Sequence, residues 1–138
     1  GNYDACTITY PVSTIVAGDN KTISNTFYIK NNLPVEGSWD YIYFKYRYEI
    51  PKDLFDGLQK LEVSLTTYPS GTTPEPACNH TTTIPLTTGW SCNTTTCTLE
   101  APDQLGEGMI QKFCGVTIGL KSNTIPGEYE VRIEIVPA

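Results

Sequence analysis

Thiol chemistry is the first possibility raised by the residue types of this chain, because it contains five cysteines and a single histidine. A nucleophilic cysteine needs a base beside it, and His80 is the one histidine available for that role. His80 lies inside a glycosylation motif, which is typical of a surface loop. The sequence also lacks serine-hydrolase, dinucleotide-binding and phosphate-binding motifs. We therefore expect a protein that is not an enzyme and that holds no cofactor.

A metal site is not expected either. The spacing of Cys92 and Cys97 is not that of a zinc site, and one histidine is too few to complete such a site. Three acidic residues, Glu128, Glu130 and Glu134, fall on one side of an alternating segment near the end of the chain. Acids in that pattern are typical of the solvated surface of a strand.

Disulfide bonds are the better interpretation of the cysteines. Cys92 and Cys97 flank a four-residue segment that would place them opposite each other across a hairpin, within reach of a disulfide. A second bridge from Cys78 to Cys114 would connect a threonine-rich segment to a later core strand. Cys6 would then be the odd thiol, either free or intermolecular.

Three asparagines lie in N-glycosylation motifs: Asn20-Lys21-Thr22, Asn79-His80-Thr81 and Asn93-Thr94-Thr95. All three motifs fall in expected loops or at strand ends, where a bulky glycan is tolerated. Together with the disulfides, they predict a secreted glycoprotein located outside the cell or at its surface.

Composition excludes several classes of protein. The chain of 138 residues has the length of one domain, spanning 1–138, and its net charge is −6 with nine basic residues. No basic patch is present, which argues against nucleic acid and against anionic membrane surfaces. No apolar run approaches the ~18 residues that a membrane-spanning helix needs.

The element that must position any site is the segment 41–50, whose residue types alternate strictly. One face of this predicted strand is apolar: Ile42, Phe44, Tyr46, Tyr48 and Ile50. A strand with one apolar face needs a second layer over it, because successive side chains point to opposite faces of a sheet.

Similar alternation recurs in the ranges 22–30, 61–65, 113–120 and 129–135. We therefore predict an all-β fold, a two-layer antiparallel β-sandwich of the immunoglobulin-like type with about seven strands. Residues 66–98 form a long excursion with thirteen threonines. It is either a solvated segment whose threonines form short edge strands, or an O-glycosylated or ligand-facing region.

The polar face of the predicted strand 41–50 carries aromatic rings. The chain as a whole has nine tyrosines and two tryptophans. Trp39, Tyr41 and Tyr43 would share one side, and exposed rings in this arrangement bind sugar faces or protein partners. Lys45 and Arg47 lie further along the same side and would donate hydrogen bonds to sugar hydroxyls or to the carboxylates of a partner. The alternative is that a loop or second layer covers these rings.

Two resemblances concern the segment Pro126-Gly127-Glu128-Tyr129-Glu130-Val131. It resembles the late strand of the MD-2-related lipid-recognition domains, secreted sandwiches that hold lipid between their sheets. That family usually carries a Cys-Pro pair upstream, whereas here Cys114 precedes Gly115. Together with Ile8-Thr9-Tyr10-Pro11 and Ala17-Gly18, the segment also resembles fungal cell-wall sandwich domains.

We therefore expect a binding or adhesion module, extracellular or associated with a cell wall, whose partner is a carbohydrate or a protein at a cell surface. A lipid-binding sandwich of the MD-2-related type is the first alternative. The second is a structural protein that self-associates into a filament or coat through its strand edges.

Overall fold

The computed structural model describes residues 6–12, 18–31 and 40–138. Trp39 and the side chain of Cys6 lie outside this description. The described ranges contain one short helix, α1 (Lys52–Asp56). They also contain nine strands: β1 (Cys6–Val12), β2 (Asn20–Lys30), β3 (Tyr41–Pro51), β4 (Leu58–Pro69), β5 (His80–Thr83), β6 (Ser91–Cys92), β7 (Thr96–Gly106), β8 (Met109–Leu120) and β9 (Tyr129–Pro137).

The strands form two sheets, and every pairing between neighbours is antiparallel. The five-stranded sheet has the order β1-β9-β3-β7-β6, and the four-stranded sheet has the order β2-β8-β4-β5. The predicted all-β, two-layer antiparallel architecture is thus confirmed.

The immunoglobulin-like strand order and the count of about seven strands are not confirmed. β1 and β2 lie in different sheets here, whereas the first two strands of an immunoglobulin domain share one. When the two-residue β6 is set aside, eight strands remain in two four-stranded sheets, with the first strand paired to the last. This is the strand order of a jelly roll.

β3 lies at the centre of the five-stranded sheet, between β9 and β7. Its alternation is as predicted, because strand geometry sends every second side chain into the core. The buried side chains are those of Phe44, Tyr46, Tyr48 and Ile50. Tyr41, Tyr43 and Arg47 are exposed on the other side.

Aromatic rings fill the space between the sheets around Phe113 of β8, which is fully buried. The ring of Phe27 stacks on it with centroids 4.9 Å apart. Tyr46 and Tyr10 reach it from the opposite sheet at 5.7 and 6.0 Å. The buried Tyr46 hydroxyl donates a hydrogen bond to the side-chain oxygen of Gln111, so both polar groups are satisfied inside the core.

β2 and β4 both contain register shifts beside Cys114 of β8. On β2 the pairing skips from Ser24 to Phe27. On the β4 side, consecutive Ser64 and Leu65 pair with Gly115 and Phe113, so the extra residue there is Cys114 of β8. Leu65 is only half-buried, although the sequence pattern placed it with the buried Leu61 and Val63. Such bulges change which side chains face the core, and alternation alone does not reveal them.

The excursion over residues 66–98 is tied to the body of the fold by a strand pairing, a disulfide and a ring contact. Its threonines do form a short edge strand, because Thr81, Thr82 and Thr83 belong to β5, the outermost strand of its sheet. The bridge from Cys78 to Cys114 attaches the excursion to β8. Further along, the ring of Trp90 packs against Phe55 of α1 with centroids 4.8 Å apart.

Candidate binding face

Two disulfides join the cysteines in the pairs predicted from the sequence. Cys92 and Cys97 face each other across the β6–β7 hairpin, with Cα atoms 4.0 Å apart. Cys78 and Cys114 have Cα atoms 6.3 Å apart. Among the cysteines whose side chains are described, none therefore carries a free thiol for nucleophilic chemistry.

His80 is exposed on β5, opposite Leu65 of β4. Within residues 6–12, 18–31 and 40–138, no three His, Cys, Asp or Glu side chains are grouped so that they could hold a metal ion. In the same ranges, no helix has the length and apolar character needed to cross a membrane.

An aromatic pair, Tyr41 and Tyr43, lies on the outward face of the central strand β3. The two side chains are 39% and 57% exposed, so no layer of the described structure covers them. Their ring centroids are 6.4 Å apart and their planes are inclined by 37°. Two neighbouring rings on a rigid central strand form a preformed apolar patch with hydroxyl groups at its rim.

Three ion pairs follow the aromatic pair along β3, and together we call them the ion-pair strip. They are Lys45 with Glu100, Arg47 with Glu134, and Arg132 with Glu49, at nitrogen–oxygen distances of 3.4, 3.5 and 3.5 Å. Each is partly exposed and contributes little to stability on its own. Their combined effect is to neutralise this part of the face while leaving hydrogen-bond donors and acceptors at its surface.

Two open grooves border the ion-pair strip. One, of about 480 Å³, lies between Arg47, Glu100 and the β6–β7 hairpin. The other, of about 620 Å³, lies beside Glu49 and Arg132 and includes Tyr129. The outward face of the five-stranded sheet is thus recessed beside its flat aromatic end, so an elongated ligand has space along the strand.

The outward face of the four-stranded sheet is partly covered by the excursion. Tyr28, Lys112 and Thr66 lie side by side across β2, β8 and β4. Glu75 of the excursion lies over them: it accepts a hydrogen bond from the Tyr28 hydroxyl and pairs with the Lys112 ammonium group at 3.1 Å. Tyr68 also donates to this carboxylate, at 3.4 Å.

These contacts shift the ionisation of the groups that make them. The hydrogen bond to Glu75 raises the pKa of Tyr28 to about 12, because the phenol can no longer donate this bond once it ionises. The hydrogen bond from Tyr28, followed by that from Lys112, lowers the pKa of Glu75 below its ordinary value. The arrangement favours a carboxylate held by neutral phenols and an ammonium group, which fits a structural anchor.

The three asparagines of the N-glycosylation motifs are all exposed. Asn20 is the first residue of β2, and Asn79 directly precedes β5. Asn93 lies in the loop of the β6–β7 hairpin, where its side-chain oxygen accepts hydrogen bonds from the backbone N–H groups of Thr95 and Thr96, both at 2.8 Å. This Asx turn uses only Oδ1 of the side chain.

The structure brings four of the five predicted binding residues onto one face: Tyr41, Tyr43, Lys45 and Arg47. The fifth, Trp39, lies outside the described residues. The sequence pattern did not indicate that Glu100 and Glu134 would pair with the basic residues, because cross-strand neighbours depend on the sheet order. Glu75 was also missed, since no motif marks a loop carboxylate that bonds to a distant strand.

Comparison with protein-family models, with curated proteins and with solved structures finds no match to this chain. The function therefore has to be inferred from the geometry of the fold and its outward faces.

Proposed function

We propose that the protein is a non-enzymatic extracellular binding module whose ligand contacts the outward face of the five-stranded sheet. The exposed aromatic pair on the central strand carries this proposal, because Tyr41 and Tyr43 are 39% and 57% exposed and adjacent. Large rings that remain in water on a rigid sheet are typical of interaction sites. The opposite sheet offers less open surface, since the excursion lies across part of it.

A neutral carbohydrate at a cell surface or in a cell wall is the ligand that this chemistry favours. The C–H face of a sugar ring packs against an aromatic ring, and its hydroxyls accept and donate hydrogen bonds at the rim. The ion-pair strip offers such donors and acceptors without a net positive charge. The grooves beside the strip give a chain of several sugars room to continue.

The cysteines and the asparagines of the N-glycosylation motifs both support a location outside the cell. Two disulfides join four of the five cysteines, and such bonds persist in oxidising compartments. The asparagines of all three N-glycosylation motifs are exposed, as glycan attachment requires.

The lipid-carrier alternative has less support from the packing. Rings from opposite sheets are in contact at the centre of the sandwich, where Tyr46 lies 5.7 Å from Phe113. An acyl chain between the sheets would have to separate these rings and break the bond from Tyr46 to Gln111. A protein partner is the second candidate, since flat aromatic surfaces also suit protein interfaces.

Binding of a soluble β-glucan and a mannan, measured by titration calorimetry, tests the proposal. We expect the Tyr41→Ala/Tyr43→Ala double variant to lose at least tenfold in affinity for the polysaccharide that the wild type binds, with an unchanged thermal melt. Ile125→Ala is the matched control, because Ile125 is 52% exposed and lies in the loop before β9. Unchanged binding by the double variant would show that the ligand does not contact this face. A large fall in the melting temperature would show that the two rings support the core.

A further inference from the structure

Each sheet of the described structure ends in two edge strands: β1 and β6 in one, β2 and β5 in the other. An edge strand presents unpaired backbone N–H and C=O groups, which can pair with a strand of a second molecule. Natural proteins protect such edges with lysines, prolines, bulges or a covering segment. The two sides of this sandwich differ in which of these protections they possess.

The side formed by β1 and β2 is joined by side chains. Asn25 lies in the bulge of β2, and its side-chain amide donates to the backbone carbonyl of Thr9 on β1 at 3.1 Å. In return, the Tyr10 hydroxyl donates to the backbone carbonyl of Asn25 at 2.6 Å. These bonds use edge carbonyls of both strands, and the bulge interrupts the regular edge of β2.

The β5 edge lacks such protection among the described residues. All four of its residues, His80 to Thr83, are exposed, and its backbone pairs only with β4. The strand carries no lysine and no proline, and three of its residues are β-branched threonines, which favour extended pairing. On these properties β5 is a template for association between two molecules.

N-glycosylation motifs lie next to both edge strands on this side of the sandwich. Asn79 directly precedes β5, and Asn93 directly follows β6, the edge of the other sheet. The Asx turn at Asn93 uses Oδ1, and the described structure shows no hydrogen bond from Nδ2, the atom to which a glycan is attached.

We propose that N-linked glycans at Asn79 and Asn93 shield the β5 and β6 edges and keep the protein monomeric. The inference rests on the extracellular location given under the proposed function. A glycan is large and hydrated, and β5 is only ~13 Å long at ~3.3 Å per residue, so a sugar chain anchored one residue away can occlude the strand. The aromatic pair Tyr41 and Tyr43 carries no motif, whereas Asn93 lines the smaller groove at the other end of this face.

The experiment compares sequon variants secreted from eukaryotic cells, with mass measured by size-exclusion chromatography and light scattering over a range of concentrations. Thr81→Ala abolishes the Asn79 motif, whereas Thr81→Ser keeps it and serves as the control. We expect Thr81→Ala to show an apparent mass that rises with concentration, and Thr81→Ser to stay monomeric. Thr95→Ala and Thr95→Ser form the same comparison at Asn93, where the backbone N–H groups of residues 95 and 96 still donate to Asn93 Oδ1.

A second substitution identifies the surface that associates. Adding Thr82→Lys to Thr81→Ala puts a charge on the β5 edge, and we expect it to restore the monomer. Enzymatic removal of glycans from the folded wild type should reproduce the association without any substitution. The proposal is overturned if the secreted protein carries no glycan at Asn79, if deglycosylated protein stays monomeric, or if Thr82→Lys fails to restore the monomer. None of these results depends on polysaccharide binding, so the two proposals fail separately.

Discussion

The ammonium group of Lys112 lies 3.1 Å from the carboxylate of Glu75, and this contact joins the four-stranded sheet to the excursion. The same ammonium group donates to the backbone carbonyl of Pro76 at 3.2 Å. Tyr28 completes the contact by donating its hydroxyl hydrogen to Glu75. A short polar cluster, together with the nearby disulfide, therefore determines where the first half of the excursion lies.

Acidification should release this part of the excursion. The folded state lowers the pKa of Glu75 below its ordinary 4.5, because Tyr28 and Lys112 stabilise the carboxylate. The stabilisation is therefore complete above the ordinary pKa and is lost as the pH falls through the lowered value. We expect the protection factors of residues 70–77, which are exchange rates corrected for the intrinsic effect of pH on amide exchange, to fall on acidification while those of β3 stay high. At neutral pH, Glu75→Gln should already show the faster exchange.

Glu128→Gln is the matched control for this test, since Glu128 is exposed and the same charge is removed. If Glu75→Gln exchanges no faster than Glu128→Gln at neutral pH, Glu75 does not hold the excursion.

The two disulfides should differ in their contribution to stability. Cys78 and Cys114 are separated by 36 residues, and Cys92 and Cys97 by five. A longer closed loop removes more conformational entropy from the unfolded chain, which gives about 4 kcal/mol for the first bridge and about 2 kcal/mol for the second. Denaturant unfolding of the two double-alanine variants measures this difference. Equal losses would show that the local structure around each bridge outweighs the loop length.

Residues that are close in sequence account for the parts of this fold that the sequence predicted. The alternation in β3 involves consecutive residues, and the bridge from Cys92 to Cys97 closes a four-residue loop, so both are visible in the printed chain. β7 was not predicted, although it pairs with β3 along the whole of Tyr41–Pro51. Its alternation is obscured because the half-buried Asp103 falls among its inward-facing positions, and Pro102 is a residue type that argues against a central strand.

The strand order and the ion-pair strip depend on contacts between distant parts of the chain. Arg47 has Glu100 on one neighbouring strand and Glu134 on the other, and neither is near it in sequence. No local pattern specifies that β9 lies between β1 and β3. Strand alternation therefore identified the predicted binding residues. It could not indicate that Glu100 and Glu134 neutralise the charges of Lys45 and Arg47.

Adjacent residues of β3 should differ sharply in their effect on stability. Phe44 is 1% exposed and packs edge-on against Tyr46, with centroids 5.5 Å apart. We expect Phe44→Ala to cost ~3–5 kcal/mol, since it removes buried apolar surface and leaves a cavity. Lys45→Ala removes only a partly exposed ion pair and should stay within ~0.5 kcal/mol. Thermal melts of the two variants make the comparison, and similar losses would show that the facing of β3 is misassigned.

The charge balance of the binding face predicts how affinity responds to salt. Lys45 and Arg47 are each paired with a glutamate, so the face attracts a ligand through ring contact and hydrogen bonds instead of through net charge. We expect the affinity for a neutral polysaccharide to change less than twofold between low and physiological ionic strength, because screening acts on unpaired charges. Titration calorimetry at several salt concentrations measures this.

A double variant that removes two negative charges from the ion-pair strip serves as the comparison. Glu100→Gln/Glu134→Gln leaves Lys45 and Arg47 without their anionic partners and makes the strip positive. We expect this variant to gain affinity for an acidic polysaccharide such as heparin, and to lose that gain as salt is added. Wild-type binding that weakens steeply with salt would contradict a neutral ligand, because an acidic partner would then be competing with Glu100 and Glu134 for the basic side chains of β3.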